Sequence, residues 1–118
     1  MMGTDELGVV IRVDGGSEIG YGHLVRSRSL AAGLRAAGHT VTVATATPAP
    51  VRELFPAAVE TVTLPARADP EPFVSWIDAT SPAVVVTDCH VVDTAYQRVV
   101  RDRVSLAVIQ DDLRHTVC

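Results

Sequence analysis

A chain of 118 residues is one domain's worth, and 47% hydrophobic content is ample for a core. A net charge of −4 with 20% charged residues argues against a general nucleic-acid binder, which is basic as a rule. No apolar run approaches the roughly 18 residues of a membrane helix, and MMGTDELGVV sets acids rather than a basic region ahead of its apolar run, unlike a signal peptide. All the basic residues are arginine, which reads as coding bias rather than function. Two cysteines, Cys89 and Cys118, are too few for a disulfide framework, so a soluble protein of the reducing cytoplasm is expected.

In chain order, Gly8–Val13 is a continuous β-branched run and the first expected strand. The pattern from His23 to Ala37 predicts a helix whose inner face carries Leu24, Ser27, Leu30, Ala31 and Leu34, closed by Gly38 as a left-handed cap. Strands follow at Thr40–Thr45 and Val59–Leu64, with a short helix over Pro50–Phe55 between them. Pro70–Ala79 predicts a helix with proline near its start, where a missing N–H costs nothing. Ala83–Thr87 is the fourth strand. Asp93–Arg103 is a helix with an Asp cap and Tyr96, Val99 and Val100 on one face, and Val104–Ile109 is the fifth strand. Strands apolar nearly throughout are covered on both faces, as in parallel sheets. The expected fold is therefore α/β, a Rossmann-like three-layer domain over residues 1–118 with a mostly parallel five-stranded sheet in the order 3-2-1-4-5. The ending soon after the fifth strand reads as a cut through a larger protein.

Ligands in open α/β sheets bind beyond the carboxyl ends of the strands. The first strand ends near Val13, which makes Asp14–Gly22 the expected ligand loop. Its glycines permit close backbone approach, and the helix behind it offers N–H groups to anions. Gly20-Tyr21-Gly22-His23-Leu24-Val25 lacks the third glycine of a dinucleotide fingerprint, and no Gly-Lys-Ser/Thr follows for a P-loop. His23 opens the helix, where the positive end of the dipole disfavours imidazolium, and a neutral imidazole can take a proton. That suits a general base; the competing reading is a histidine that caps or packs the helix start.

The ordered set Arg12, Asp14, Gly20, Gly22, His23 and Arg26, followed by Leu30-Ala31-Ala32-Gly33-Leu34, resembles the start of the PseG family. Those are UDP-2,4-diacetamido-2,4,6-trideoxy-β-L-altropyranose hydrolases of pseudaminic acid biosynthesis; spore-coat polysaccharide biosynthesis proteins share the motif. Asp88 and Asp93 match a later family segment, but its His-Tyr-Gly is Cys89-His90-Val91 here. That departure removes the family tyrosine near the sugar and leaves His90 as the residue in its neighbourhood. Asp111-Asp112-Leu113 and Cys118 match further positions. The likeness covers nearly all of this chain and about the first half of a family member. It implies the N-terminal half of a GT-B architecture similar to MurG, with the UDP-binding second domain absent from this chain.

What the resemblance implies mechanistically is attack of water on the anomeric carbon of a UDP-activated amino sugar, with inversion and release of UDP. His23 is the implied base, within about 2.6–3.2 Å of the water, and loop N–H groups help the leaving diphosphate. Asp14, Ser17, Gly20, Tyr21, Gly22, Arg26, Asp88 and His90 are the expected substrate-binding residues; no cofactor and no metal are implied. For single residues, simpler roles compete. Asp14 can fix its loop as an Asx turn, and Arg12, inside a strand, suits a structural ion pair with an acid near the strand ends. Glu18 suits solvent, and Arg26, one turn past His23, reaches either a phosphate or the loop. Asp111-Asp112 alone is too small a set for a metal, the Cys89, His90, His115 and Cys118 spacing is no zinc motif, and Trp76 reads as core. A GT-B glycosyltransferase passing the sugar to an acceptor hydroxyl, and a non-catalytic sugar-nucleotide-binding module, are the alternative readings.

Half a cleft leaves apolar surface uncovered, and such patches drive association. The chain is expected to act on no substrate alone and to self-associate at millimolar concentration. Sedimentation giving a clean monomer there overturns the second expectation.

Overall fold

The apolar runs become strands, and the helical patterns between them become the layers that cover the strands. The computed structural model describes residues 6–17, 20–88, 94–104 and 106–110. In chain order these form β1 (Gly8–Arg12), α1 (Gly22–Ala36), β2 (Thr40–Thr45), α2 (Pro48–Leu54), β3 (Glu60–Thr63), α3 (Glu71–Thr80), β4 (Val84–Asp88), α4 (Thr94–Arg101) and β5 (Leu106–Gln110). The sheet has five strands in the order β3-β2-β1-β4-β5, each paired parallel with its neighbours. This is the expected order. The chain winds outward from β1 to β3, then returns to β4 on the other side of β1. The order thus reverses between β1 and β4, the place at whose carboxyl ends open α/β sheets bind ligands.

Strand side chains alternate between faces, and the alternation splits the core in two. Val9, Ile11 and Val13 pack with Leu24 and Ala31 of α1, Val51 of α2 and Phe55. Val10, Ala44 and Val85 pack on the other face with Phe73, Val74 and Ile77 of α3 and Tyr96 and Val100 of α4. Trp76 packs against this second cluster, with its ring stacked 6.2 Å from that of Phe73. Beyond α1, Leu30 and Leu34 join Leu7, Val9, Val84 and Val86 around an open apolar depression of about 320 Å³. No described helix is long and apolar enough to cross a membrane.

Helix ends follow local chemistry. Gly38, at φ +97°, closes α1 in a Schellman motif: His39 N–H donates to the Leu34 carbonyl and Gly38 N–H to that of Arg35, both at 3.0 Å. α2 begins at Pro48, two residues earlier than expected, because proline suits a first helical position. α3 ends on Ser81 at φ +51°, the one described residue other than glycine with positive φ. Asp93, the expected cap of α4, lies outside the described residues.

Phe73 is fully buried between the rings of Trp76 and Tyr96. Phe73→Ala is expected to cost about 3–5 kcal/mol in urea denaturation, and a cost under about 1 kcal/mol would contradict its place in the core. Gly33 is exposed inside α1 with open space where a Cβ would sit. Gly33→Ala is expected to raise stability by up to about 1 kcal/mol.

Candidate functional site

Arg12 is the last residue of β1, the central strand, and is fully buried. A guanidinium carries five N–H donors and no acceptor, so burying one requires acceptors around it. Arg12 finds three. Nε donates to the Tyr96 hydroxyl at 3.0 Å, one Nη to Asp14 Oδ1 at 2.7 Å and the other to the Arg67 carbonyl at 3.1 Å. Burial by itself pulls the guanidinium towards neutrality. The hydrogen bonds and charge interactions with Asp14 and, to a smaller extent, Tyr96 together outweigh it and hold Arg12 above its ordinary value. Burial likewise pushes the Tyr96 hydroxyl up, and the Arg12 charge offsets only part of that rise.

Asp14 is fully buried too, and its Oδ1 is the hub of the network. Besides Arg12 it accepts from Thr45 Oγ1 at 2.9 Å and from the Ala46 N–H at 2.7 Å. The Thr45 hydroxyl proton is spent on that carboxylate, so Thr47 donates in the 3.0 Å Thr45–Thr47 pair. Thr47 Oγ1 in turn accepts the Gly15 N–H at 3.0 Å. The other carboxylate oxygen of Asp14 lies 3.3 Å from Arg67 Nε, in ion-pair range but without hydrogen-bond geometry. Arg67 is partly exposed, so solvent screens that contact. Asp14, expected at the ligand, is thus turned inward, and it fixes the first loop to the end of β2.

From this anchor the loop turns back on itself. Gly16 and Gly20 exchange backbone hydrogen bonds of 3.1 and 2.6 Å, with φ of +149° and +103° that only glycine adopts readily. Gly15 is pressed against α1: a Cβ there would lie 2.5 Å from Leu24 Cγ. The fold-back delivers the chain to Tyr21, the N-cap of α1, which makes no side-chain cap, and no acid stands in the first turn. Gly22 opens the helix and His23 follows. Both His23 and Arg26 are half-buried, and Arg26 Nη2 lies 2.7 Å from His23 Nδ1.

The expected base His23 and, of the expected binding residues, Gly20, Tyr21, Gly22 and Arg26 therefore gather at the mouth of α1, with Tyr21 45% exposed. Ser17 is exposed on the same loop. Asp88 ends β4, one residue beyond the position paired with Arg12. His90 lies outside the described residues, as do Glu18, Cys89, Asp93, Asp111, Asp112, His115 and Cys118. Thr45, Thr47, Arg67 and Tyr96 were not expected here. A buried strand arginine signals that acceptors must converge on it. Only Asp14 is readable as one, being two residues on and on the same face; Tyr96 and Arg67 stand 84 and 55 residues away.

No family model matches the chain, and no curated protein matches it. Among solved structures, the fold is similar to a glycosyltransferase from Rickettsia africae ESF-5, with a TM-score of 0.69 at 12% identity, over 89% of this chain and 29% of that one. The chain thus spans less than a third of the length of that glycosyltransferase, and at this identity the likeness is one of fold: an α/β Rossmann-like domain resembling part of a glycosyltransferase.

Removing one partner of a buried ion pair strands the other. Asp14→Asn is expected to cost about 3–5 kcal/mol in denaturant unfolding, and a cost below about 1 kcal/mol would show that the pair is not buried. The Tyr96 hydroxyl lies higher in the folded than in the unfolded state, so the folded protein keeps that proton longer. The resulting stabilisation is fully present below the unfolded value near about 10 and is lost as pH rises through the folded one. The urea midpoint is therefore expected to fall above pH ~10, with a shallower fall in Tyr96→Phe; an identical fall in both proteins contradicts the assignment.

Proposed function

We propose that this chain is a nucleotide-sugar-handling domain of the glycosyltransferase-like kind, the N-terminal half of a two-domain GT-B enzyme. One observation carries the reading. A glycine-closed loop, an uncapped helix N-terminus and the His23–Arg26 pair meet at the carboxyl edge of the sheet, where the strand order reverses. Such a point accepts ligands, a helix N-terminus favours an anion, and an arginine suits a diphosphate. The fold likeness to part of a glycosyltransferase supports the same reading.

In the proposed reaction an oxygen nucleophile forms a bond to the anomeric carbon. The bond from that carbon to the diphosphate oxygen breaks, and its electron pair leaves on the nucleoside diphosphate. The nucleophile's proton passes to His23. Arg26 and the first N–H groups of α1 neutralise the charge gathering on the leaving group. The identity of the nucleophile separates two readings. An acceptor hydroxyl makes the protein a glycosyltransferase, which the fold likeness favours. Water makes it a UDP-sugar hydrolase acting with inversion on an amino sugar, which the motif from Arg12 to Arg26 favours.

Titration of the isotope-labelled chain with millimolar UDP-N-acetylglucosamine tests the site. The amides of Gly16 and of residues 20–26 are expected to shift; shifts confined to other segments, or none, overturn the reading. In protein that turns over a UDP-sugar, His23→Ala is expected to lower kcat by about 10²–10⁴-fold with little change in KM. UDP release without an acceptor identifies the hydrolase, and dependence on an added acceptor identifies the transferase. Tight binding with no turnover under either condition, in protein that carries both domains, identifies a non-catalytic module.

A further inference from the structure

The His23–Arg26 contact specifies which ring nitrogen carries the proton. Arg26 Nη2 sits 2.7 Å from His23 Nδ1. Guanidinium only donates, so Nδ1 is the acceptor and the proton of the neutral ring is on Nε2. A neutral imidazole has one lone pair able to take a proton, and here Arg26 is using it. A proton added at Nδ1 would set donor against donor and cation against cation. In this arrangement His23 is a hydrogen-bonded acceptor and not yet a base, so the pair must open before His23 can do the chemistry proposed above.

Arg26 has reason to leave for an anion. Its Nε is buried and, among the described residues, has no hydrogen-bond partner, so part of its donor capacity is unspent. It stands at the start of the second turn of α1, and in the first turn neither a side-chain cap nor an acidic residue competes for the helix N-terminus. A diphosphate is acceptor-only and doubly charged, and it engages a guanidinium through two parallel hydrogen bonds, a stronger partner than one imidazole nitrogen. The same anion would also sit where the helix dipole favours negative charge.

We infer that Arg26 is a latch on His23. Without ligand it holds the ring as the Nε2–H tautomer with Nδ1 occupied. The diphosphate of an activated sugar draws Arg26 away and releases Nδ1 as the proton acceptor. The inference rests on the nucleotide-sugar reading of this site and adds a condition to it. The base is switched on by the leaving group itself, so neutral glycosides that reach the loop leave it off. Arg26 is in this respect a positioning residue, acting through His23.

The test uses the full chain labelled with ¹⁵N at histidine, with His23 identified by the signals lost in His23→Gln. Two-bond nitrogen–proton correlations distinguish the two tautomers. Free protein is expected to show Nε2–H at His23. Arg26→Lys, which keeps a cationic donor, is expected to preserve that pattern, and Arg26→Met to give a mixture of tautomers. Pyrophosphate at millimolar concentration is expected to move wild-type His23 towards the Arg26→Met pattern and to leave the Arg26→Met protein unchanged. Nδ1–H in the free wild type, or a His23 pattern indifferent to pyrophosphate, overturns the latch. Both of those readouts use wild-type protein, so they decide the matter even where a variant fails to fold. UDP-sugar shifts at residues 20–26 with an unmoved tautomer sink the latch and keep the site. A pyrophosphate-driven change without any UDP-sugar binding sinks the nucleotide-sugar reading and keeps the latch.

Discussion

A guanidinium buried at the end of the central strand governs the architecture at the carboxyl edge of this domain's sheet. Arg12 has no access to water, so each N–H left unpaired would cost as much as a lost hydrogen bond or more. Its acceptors come from the first loop, from the segment before α3 and from α4. Asp14 extends the network to the end of β2 through Thr45 and Ala46. One charge thus ties together segments that belong to different crossovers. Hydrophobic packing alone sets no such register among them, because apolar contacts are non-directional.

The shape of the first loop follows from that network. Asp14 is held inward and Gly15 is hydrogen-bonded to Thr47 and pressed on Leu24, so the chain leaves the sheet along a fixed path. The Gly16–Gly20 bridge then folds it back to the start of α1. His23 and Arg26 owe their place to this route. The charges divide in the same way. Arg12 and Asp14 neutralise each other in the interior, which leaves Arg26 as the cation beside His23. A buried ion pair is weak evidence for stability, since apolar residues of the same volume often do as well. Here its directional bonds position a loop.

The likeness to part of a glycosyltransferase at 12% identity fits the same division of labour. A three-layer α/β domain needs strands apolar on both faces and helices with one apolar face, and many sequences meet that demand. Chemistry on such a domain resides in the few side chains at the switch point, so it has to be argued from them and not from the fold.

Much of this domain was legible in its residues. Continuous β-branched runs such as Gly8–Val13 and Thr40–Thr45 announced parallel strands, Gly38 announced the end of α1, and the alternation of strands and helices announced a parallel sheet; each signal is local or follows from the handedness of crossovers. The motif from Gly20 to Arg26 marked the loop and helix start at which the site is proposed, because glycine spacing and a helix start stand side by side in the chain. The sequence could not tell that Tyr96 is a hydrogen-bond partner as well as a core ring, or that Thr45 and Thr47 belong to the network around Asp14. Those roles depend on groups 31 to 84 residues apart meeting around one charge. The tautomer of His23 is also a tertiary fact. Sequence places Arg26 one helical turn from His23, but only the folded loop decides that the guanidinium reaches Nδ1 and so which nitrogen holds the proton.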